Sequence, residues 1–258
     1  MTDTLVTVGH EHGVRTLTLD SPRNRNALSA ALLDQLAGAL HDASDDAEVR
    51  AIVLTGSGSV FCSGADLSER GSAAPNRMPD ILTTVVQCPV PVIARVNGHA
   101  RAGGIGLVAA ADMAVATAGA TFAFTEVRVG VAPAMIMVPA LPVMQRRMLT
   151  QMVLTGERFG AAQAAAAGLL TAVVDDRAAL DAWVAARTDA LRQAAPGAVR
   201  ATKQLLRALP GRAWAEALED AATRSAELFV GTEASEGMAA FLEKRAPAWD
   251  TTGVSTNQ

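Results

Sequence analysis

The sequence has no tyrosine, and aromatic residues supply only 3% of its 258 residues. A tyrosine hydroxyl therefore cannot act here as an acid, a base or a hydrogen-bond donor to an oxyanion. Cysteine is also scarce: Cys62 and Cys88 have no metal-ligand spacing, and the four histidines form no ligand cluster. The sequence thus predicts no metal site, and a reduced, cytoplasmic setting is the default.

An excess of positive charge and a long apolar run are both missing. The formal net charge is −4 at pH 7, and aromatic residues are not interleaved with basic ones. The chain is therefore not expected to bind nucleic acid. Its apolar runs are interrupted by charge, proline or glycine well short of a membrane span, and residues 1–8 lack the apolar core of a secretory signal. No membrane partner is predicted.

Apolar residues are plentiful, at 50% of the chain with a mean hydropathy of +0.23. The length fits one large domain or a domain with an appendage. Such a proportion is high for a soluble monomer, and it indicates that apolar surface is buried between subunits.

Hydrophobic periodicity predicts strands that alternate with helices over two-thirds of the chain, followed by helices alone. Strands are predicted at 5–8, 14–20, 50–55, 91–96, 112–117, 121–124 and 169–174. Helices are predicted at 30–42, 134–155, 160–167, 176–194, 197–209, 212–229 and 233–245, a loop at 56–64 and the most mobile segment at 71–79. Alternation of this kind is typical of an α/β fold with right-handed crossovers. We divide the chain into a core, 1–175, and a helical C-terminal region, 176–258.

The segment that organises this pattern runs from Asn97 to Thr117. The strand before it breaks at Asn97-Gly98, and three glycines then open an alanine-rich run with helical spacing. Glycine lets a ligand approach the backbone closely, and the unpaired N–H groups of a helix N-terminus favour a developing negative charge. Close packing of a helix against a strand would explain the same glycines.

Five motifs in this order are similar to those of one known family. They are G-S-G-S-V-F-C-S-G-A-D-L at 56–67, N-G-H-A-R-A-G-G-I-G-L at 97–107, F-A-F-T-E-V-R-V-G-V-A-P at 122–133, V-L-T-G-E-R-F at 153–159 with A-x-x-A-G-L at 164–169, and F-L-E-K-R at 241–245. The chain resembles the crotonase superfamily, the enoyl-CoA hydratase/isomerase proteins, whose second motif is N-G-x-A-x-G-G-G-x-E-L. The resemblance implies a spiral of ββα units with a helical C-terminal trimerisation region.

The resemblance also implies the chemistry. The substrate would be an acyl-CoA thioester, and the reaction would pass through a thioester enolate whose oxygen accepts hydrogen bonds from two backbone N–H groups. Motif matching places these groups on Ala65 and Gly103, and the acid–base carboxylate on Glu126. A solvated or salt-bridged Glu126, paired for instance with Arg128, is the alternative.

One departure from the family pattern bears directly on the reaction. Hydratases of this family generally use two glutamates, and the first would stand at position 106, which is glycine here. Glycine is expected to leave a hole of about carboxylate size beside the thioester, at a helical position where it costs about 1 kcal/mol relative to alanine.

Three functions therefore stay open. The leading hypothesis is an enoyl-CoA hydratase that adds water to a 2-enoyl-CoA with Glu126 alone. The alternatives are a Δ3,Δ2-enoyl-CoA isomerase that uses the same glutamate, and an acyl-CoA-binding protein without turnover. Arg101 stands where the family tends to be apolar, and could meet a polar substrate tail or an interface. The Met-bearing run 134–137 suits an adaptable acyl pocket and plain core packing equally well.

Coenzyme A enters as part of the substrate, so no separate cofactor is expected. The family's adenine and pantetheine contacts map to the turn Asn26-Ala27-Leu28 and to Ala65-Asp66-Leu67. Phe241 and Lys244 of the F-L-E-K-R motif would reach a nucleotide phosphate, often across a subunit boundary; a solvated helix face would explain Lys244 almost as well. The expected assembly is a homotrimer or a dimer of trimers.

Overall fold

Ten strands form two sheets in the computed structural model, which describes residues 3–69 and 76–252. The strands are β1 (Val6–Glu11), β2 (Val14–Leu19), β3 (Ala51–Gly56), β4 (Val60–Cys62), β5 (Val92–Val96), β6 (His99–Arg101), β7 (Met113–Thr117), β8 (Thr121–Ala123), β9 (Phe159–Gly160) and β10 (Ala172–Val174). The larger sheet has the order β1-β2-β3-β5-β7-β10, and the smaller has the order β4-β6-β8-β9.

Ten α-helices are present in the same described residues. They are α1 (Ala30–Asp45), α2 (Met78–Gln87), α3 (Gly103–Ala110), α4 (Ala134–Val143), α5 (Arg146–Thr155), α6 (Ala161–Ala166), α7 (Arg177–Gln193), α8 (Pro196–Ala208), α9 (Trp214–Phe229) and α10 (Thr232–Glu243). Ser29 accepts a hydrogen bond from the Leu32 N–H at 3.2 Å, which caps α1 as the sequence predicts. The predicted alternation of strands and helices is confirmed.

The larger sheet is mostly parallel and buried on both faces. Only β1 pairs antiparallel, with β2, whereas β2, β3, β5, β7 and β10 run parallel to one another. Every residue of β3 is buried, which explains the continuous apolar run in its sequence. One face packs on the main core, and α7 covers the other through Leu180 and Val184.

The sequence prediction misses the strands β4 and β6 of the smaller sheet. The predicted loop 56–64 contains β4. The predicted end of a strand at Asn97-Gly98 is followed directly by another strand, β6. Both strands have only three residues, too few for a period-2 pattern to emerge. A Cβ on Gly98 would lie 1.9 Å from the Ser59 carbonyl oxygen, so glycine is required for the two segments to come together.

A second correction concerns the predicted helix 134–155, which is two helices. Met144 and Gln145 both have extended backbone, and they separate α4 from α5. The Gln145 N–H donates to the Ala167 carbonyl at 2.8 Å, and its side chain donates to the Ala166 carbonyl. These bonds fix the turn where periodicity alone runs through it.

The C-terminal helices differ in how they meet the core. α7 packs on the larger sheet and α8 sends Lys203 into the interior, whereas α9 has no buried residue. The division at 175/176 stays a prediction. Of the predicted mobile segment, residues 71–75 lie outside the described part of the chain. No helix among the described residues is both long and apolar enough to cross a membrane.

Lys203 is a buried lysine whose ion pair with the more exposed Asp112 ties α8 to the core. Its Nζ lies 2.6 Å from Asp112 Oδ2 and donates to the Val90 carbonyl at 3.0 Å, and Asp112 also accepts the Val92 N–H at 2.7 Å. Only 5% of Lys203 is exposed. Removing Lys203 leaves the Val90 carbonyl without its charged donor, whereas Asp112 is exposed and stays solvated.

We expect Lys203→Ala to lower the free energy of unfolding by about 1–3 kcal/mol, the scale for a buried acceptor left without its hydrogen-bond partner. Urea denaturation followed by circular dichroism measures this change. Arg224→Ala is the matched control, because Arg224 pairs with Glu227 at the surface, where a pair contributes about 0–1 kcal/mol. Equal losses in the two variants would contradict the assigned role of Lys203.

Candidate active site

Three parallel strands of the smaller sheet end at one edge, and each is followed by a predicted site residue. β4 runs parallel to β6, and β6 runs parallel to β8 with Arg101 opposite Ala123. Ala65 follows β4, Gly103 follows β6 and Glu126 follows β8. Because neighbouring strands lie about 4.8 Å apart, these three turns are adjacent at the carboxyl edge, where α/β proteins bind ligands.

Short contacts hold the first two turns against each other. A Cβ on Gly64 would lie 2.9 Å from the Ala102 Cβ and 3.3 Å from the Arg101 carbonyl oxygen. The Ala102 N–H donates to the Ala123 carbonyl at 3.1 Å, which joins the second turn to β8. Gly64 has φ +93°, a conformation that glycine adopts without strain.

The Ala65 N–H is directed toward this edge by its neighbours. Leu28 and Ala65 form an isolated parallel bridge, in which the Leu28 N–H donates to the Gly64 carbonyl at 2.8 Å and the Asp66 N–H donates to the Leu28 carbonyl at 3.3 Å. An extended residue presents its own N–H on the side opposite such a bridge. Among the described residues no acceptor takes the Ala65 N–H, and Ala65 is exposed.

The Gly103 N–H lies at the start of α3. The Ala102 carbonyl accepts the first helical bonds, from Ile105 at 2.8 Å and from Gly106 at 3.4 Å. Gly103 is therefore the first helical residue, and its N–H has no partner inside the helix. Ala102 has φ +46° and ψ −120°, a conformation that is rare for alanine.

Glu126 begins a 3₁₀ turn, Glu126–Val129, directly after β8. The residue is half-buried, and among the described residues its Oε2 is buried without a hydrogen-bond partner. Burial raises the pKa of the Glu126 carboxyl, and a hydrogen bond from its own backbone N–H lowers it by less. A carboxylate with a raised pKa and a free oxygen is suited to proton transfer.

The alternative in which Glu126 pairs with Arg128 does not hold. The Arg128 Nε donates to the Thr155 carbonyl at 3.2 Å, and the described residues include no ion pair to Glu126. Arg101 is directed away from the carboxyl edge: its guanidinium donates to the Thr121 carbonyl and, at 2.7 Å, to the Thr121 hydroxyl. The Arg101 side chain therefore extends along β8 toward the start of that strand.

The hole expected beside Gly106 is not present. A Cβ at this position would lie 2.6 Å from the Ile136 Cγ2 and 3.4 Å from the Met78 Cε. Ile136 and Met78 are 3% and 5% exposed, so both are packed in place. The expectation fails because the space left by a glycine inside a close-packed interior is filled by a neighbouring side chain.

The residues predicted to contact coenzyme A at the first turn have defined local roles. Asn26 is fully buried, and its amide donates to the Val60 carbonyl at 2.8 Å and accepts the Ser21 N–H at 2.8 Å. Its side chain therefore anchors the loop before β4. Ala27 and Leu28 are 7% exposed. Coenzyme A binding at this turn stays a prediction.

Asp66 and Leu67 lie at the surface beside Ala65. Asp66 accepts hydrogen bonds from the N–H of Ser68 at 3.0 Å and from its hydroxyl at 2.7 Å, and these bonds lower the pKa of the Asp66 carboxyl. Leu67 is 63% exposed. A large exposed apolar side chain next to the carboxyl edge is available to a ligand.

Phe241 and Lys244 lie at the end of α10, in the C-terminal region. Phe241 is on α10 and is 83% exposed, and Lys244 ends α10 in a left-handed conformation. Within the described part of one chain, neither forms a hydrogen bond or ion pair with Ala65, Gly103 or Glu126. Their predicted contact with a nucleotide phosphate therefore stays a prediction that concerns a neighbouring subunit.

The sequence prediction missed Met78 and the way its side chain packs over α3 with Leu28 and Ile136. Leu28 is predicted only as a contact of coenzyme A, and Ile136 only as part of the run 134–137. The only signal in the sequence is the glycine at 106 combined with the apolar run that follows Pro133. No group of three or more His, Cys, Asp or Glu side chains that could hold a metal is found among residues 3–69 and 76–252.

Comparison with known proteins gives one consistent result. The enoyl-CoA hydratase/isomerase family matches residues 9–252. The mitochondrial enoyl-CoA hydratase domain-containing protein 3 of Danio rerio is 35% identical over 93% of this chain and 86% of that protein. A probable enoyl-CoA hydratase of Rhodobacter capsulatus is 36% identical over 91% of this chain and 93% of that protein. The crystal structure of an enoyl-CoA hydratase from Mycobacterium smegmatis matches with a TM-score of 0.89 at 37% identity, over 96% of this chain and 100% of the other. The predicted ββα fold with a helical C-terminal region is confirmed.

Proposed function

Because the chain belongs to the enoyl-CoA hydratase/isomerase family, we propose that it adds water to a 2-enoyl-CoA thioester through an enolate. The observation that carries the proposal is the common edge of β4, β6 and β8, which is followed by Ala65, Gly103 and Glu126. Two relatives whose names describe enoyl-CoA hydratases support the choice of hydration.

In this reaction Glu126 carries out both proton transfers, from water and to C2. Its carboxylate takes a proton from water as the water oxygen bonds to C3, and the C2=C3 electron pair moves toward the thioester oxygen. The Ala65 and Gly103 N–H groups donate to that oxygen, and each such donor is typically worth about 3–4 kcal/mol. The enolate then collapses, and C2 takes the proton held by Glu126. The product is a 3-hydroxyacyl-CoA.

A second function, Δ3,Δ2-enoyl-CoA isomerisation, is favoured by the packing around Gly106. Ile136 and Met78 occupy the space beside it, so no carboxylate stands there to hold water. Glu126 would take a proton from C2 of a 3-enoyl-CoA and return it at C4, while the double bond moves to C2=C3. No water would be consumed.

Mass spectrometry in H₂¹⁸O separates these functions. A hydratase incorporates ¹⁸O at C3 of a 2-enoyl-CoA. An isomerase converts 3-enoyl-CoA to 2-enoyl-CoA without ¹⁸O uptake, and in D₂O it exchanges protons at C2. Absence of all these changes with every enoyl-CoA would leave an acyl-CoA-binding protein without turnover.

We also propose a homotrimer or a dimer of trimers, with Lys244 near a neighbour's ligand. Large apolar side chains on α9 and α10 are exposed in one chain, among them Trp214 at 82%, Phe229 at 68% and Leu242 at 78%. Exposed apolar area of this kind is typical of a subunit interface. Sedimentation velocity at micromolar concentration should give a trimer or hexamer. A monomer that still binds CoA thioesters would refute the shared site.

The cytoplasmic location stays a proposal that the reduced cysteines favour. The Danio rerio relative is named as a mitochondrial protein.

A further inference from the structure

One face of α3 carries two glycines a turn apart, and apolar side chains close over both. A Cβ on Gly103 would lie 2.8 Å from the Leu28 Cδ1 and 3.6 Å from the Met78 Cε, and a Cβ on Gly106 would lie 3.4 Å from the same Met78 Cε. Met78 therefore spans the turn from Gly103 to Gly106. Ile136 completes this cover at Gly106, at 2.6 Å.

The segment that supplies Glu126 also supplies Ile136. The Val131 N–H donates to the Glu126 carbonyl at 3.1 Å, and α4 begins three residues later. Helices α3 and α4 pack together. Glu126 and Ile136 thus lie ten residues apart on one short stretch of chain, and α4 brings Ile136 to α3.

The cover beside Gly106 has no strong hydrogen-bonding group. Leucine and isoleucine side chains have no polar atom, and a methionine sulfur is only a weak acceptor. An ordered water needs two to four polar partners, so this face does not hold one. The α3 face beside Gly106 therefore offers no side chain that is able to orient water.

We infer that Ile136 is a specificity-determining residue, which excludes a second acid, and the water that such an acid would hold, from the α3 face beside Gly106. It thereby limits the addition of water relative to proton transfer at C2. The inference rests on the proposed function, since it concerns the same thioester and the same Glu126.

The test compares two rates for each variant: ¹⁸O uptake by a 2-enoyl-CoA, and deuterium exchange at C2 of a 3-enoyl-CoA. In Ile136→Ala alone, the space opened beside Gly106 is still lined by apolar atoms and stays dry, so the ratio of uptake to exchange should stay near the wild-type value. In the double variant Gly106→Glu, Ile136→Ala a second carboxylate fits, and the ratio should rise about 100-fold, the lower range for an added acid–base group. Gly106→Glu alone should give no gain, because Ile136 blocks its side chain.

Ile52→Ala is the matched control. Ile52 is fully buried in β3, so its loss removes the same atoms from the core away from the α3 face, and the ratio should stay at the wild-type value. Ile136→Val keeps the Cβ and Cγ2 atoms that meet Gly106, so Gly106→Glu combined with Ile136→Val should show no gain over Gly106→Glu alone.

The possible failures are distinguishable. If the wild type neither takes up ¹⁸O nor exchanges at C2, the proposed function is wrong. If the wild type is active and the double variant Gly106→Glu, Ile136→Ala has the same ratio as Gly106→Glu alone, the role of Ile136 is refuted and the proposed function stands.

Discussion

Replacing Glu126 by glutamine should lower turnover of an enoyl-CoA substrate at least about 100-fold, the usual scale for a lost general acid–base group. Glutamine keeps the size of the side chain but does not take a proton from water or carbon. Binding of the CoA thioester should change little, because Ala65 and Gly103 donate through the backbone. Steady-state kinetics give kcat, and titration calorimetry with a saturated acyl-CoA gives the dissociation constant.

The control for this variant is Glu48→Gln, which makes the same chemical change at an exposed loop position. It should retain wild-type turnover. Full activity in Glu126→Gln on a substrate that the wild type converts would show that another group transfers the proton.

The pKa of Glu126 determines how the reaction rate depends on pH. Burial raises the pKa of the Glu126 carboxyl, and the ionised form is the base. The rate should therefore rise with pH through this raised pKa, and the rise should disappear in Glu126→Gln.

The raised pKa of Glu126 also affects the free energy of unfolding. A carboxyl whose pKa is higher in the folded state destabilises the fold at pH values above that pKa, and this cost vanishes below the unfolded value. At pH 7 Glu126→Gln should therefore unfold at the same temperature as the wild type or higher. Lost activity with retained stability would separate catalysis from folding.

Sequence patterns predict the larger sheet well, because its strands are long apolar runs. Residues 50–55 and 91–96 are predicted within one residue of β3 and β5. In the smaller sheet β8 is predicted, at 121–124, but β4 and β6 are missed, because they have three residues each and lie in glycine-rich segments. Yet this sheet brings Ala65, Gly103 and Glu126 to one edge. Motif resemblance predicts the site residues, but only tertiary pairing explains why they meet.

Side-chain packing is the part that sequence reasoning does not reach. Gly106 indicates that a carboxylate is missing, but not what replaces it. The replacement, Ile136, comes from a helix thirty residues later in the chain. Nor does the sequence show that the Asn26 side chain makes four hydrogen bonds, three of them to carbonyls between Ser57 and Phe61. Both outcomes depend on contacts between distant segments, which local periodicity does not encode.

The turn that carries the Ala65 N–H should be sensitive to a single methyl group at Gly64. In Gly64→Ala the new Cβ lies 2.9 Å from the Ala102 Cβ and 3.3 Å from the Arg101 carbonyl oxygen, at a φ of +93°. The turn must shift away from α3, and the two N–H groups then no longer converge on one oxygen. We expect kcat to fall about 10²–10³-fold, as for removal of one oxyanion donor.

Gly58→Ala separates this effect from backbone strain. Gly58 has φ +71°, so alanine there should cost a similar amount of about 1–2 kcal/mol. Its Cβ, however, would meet only the Pro22 Cβ, at an ordinary 3.8 Å. Gly58→Ala should therefore lose stability and keep its kcat. Equal kcat values in the two variants would contradict the role of the Gly64 turn.

A second substitution tests the contact itself. Ala102→Gly removes the methyl group that the new Gly64 side chain would strike, and it relieves the φ of +46° at position 102. Combined with Gly64→Ala, it should recover part of the lost kcat, although the contact with the Arg101 carbonyl remains. A double variant no more active than Gly64→Ala alone would mean that strain at Gly64, rather than its closeness to Ala102, aligns the Ala65 N–H with the Gly103 N–H.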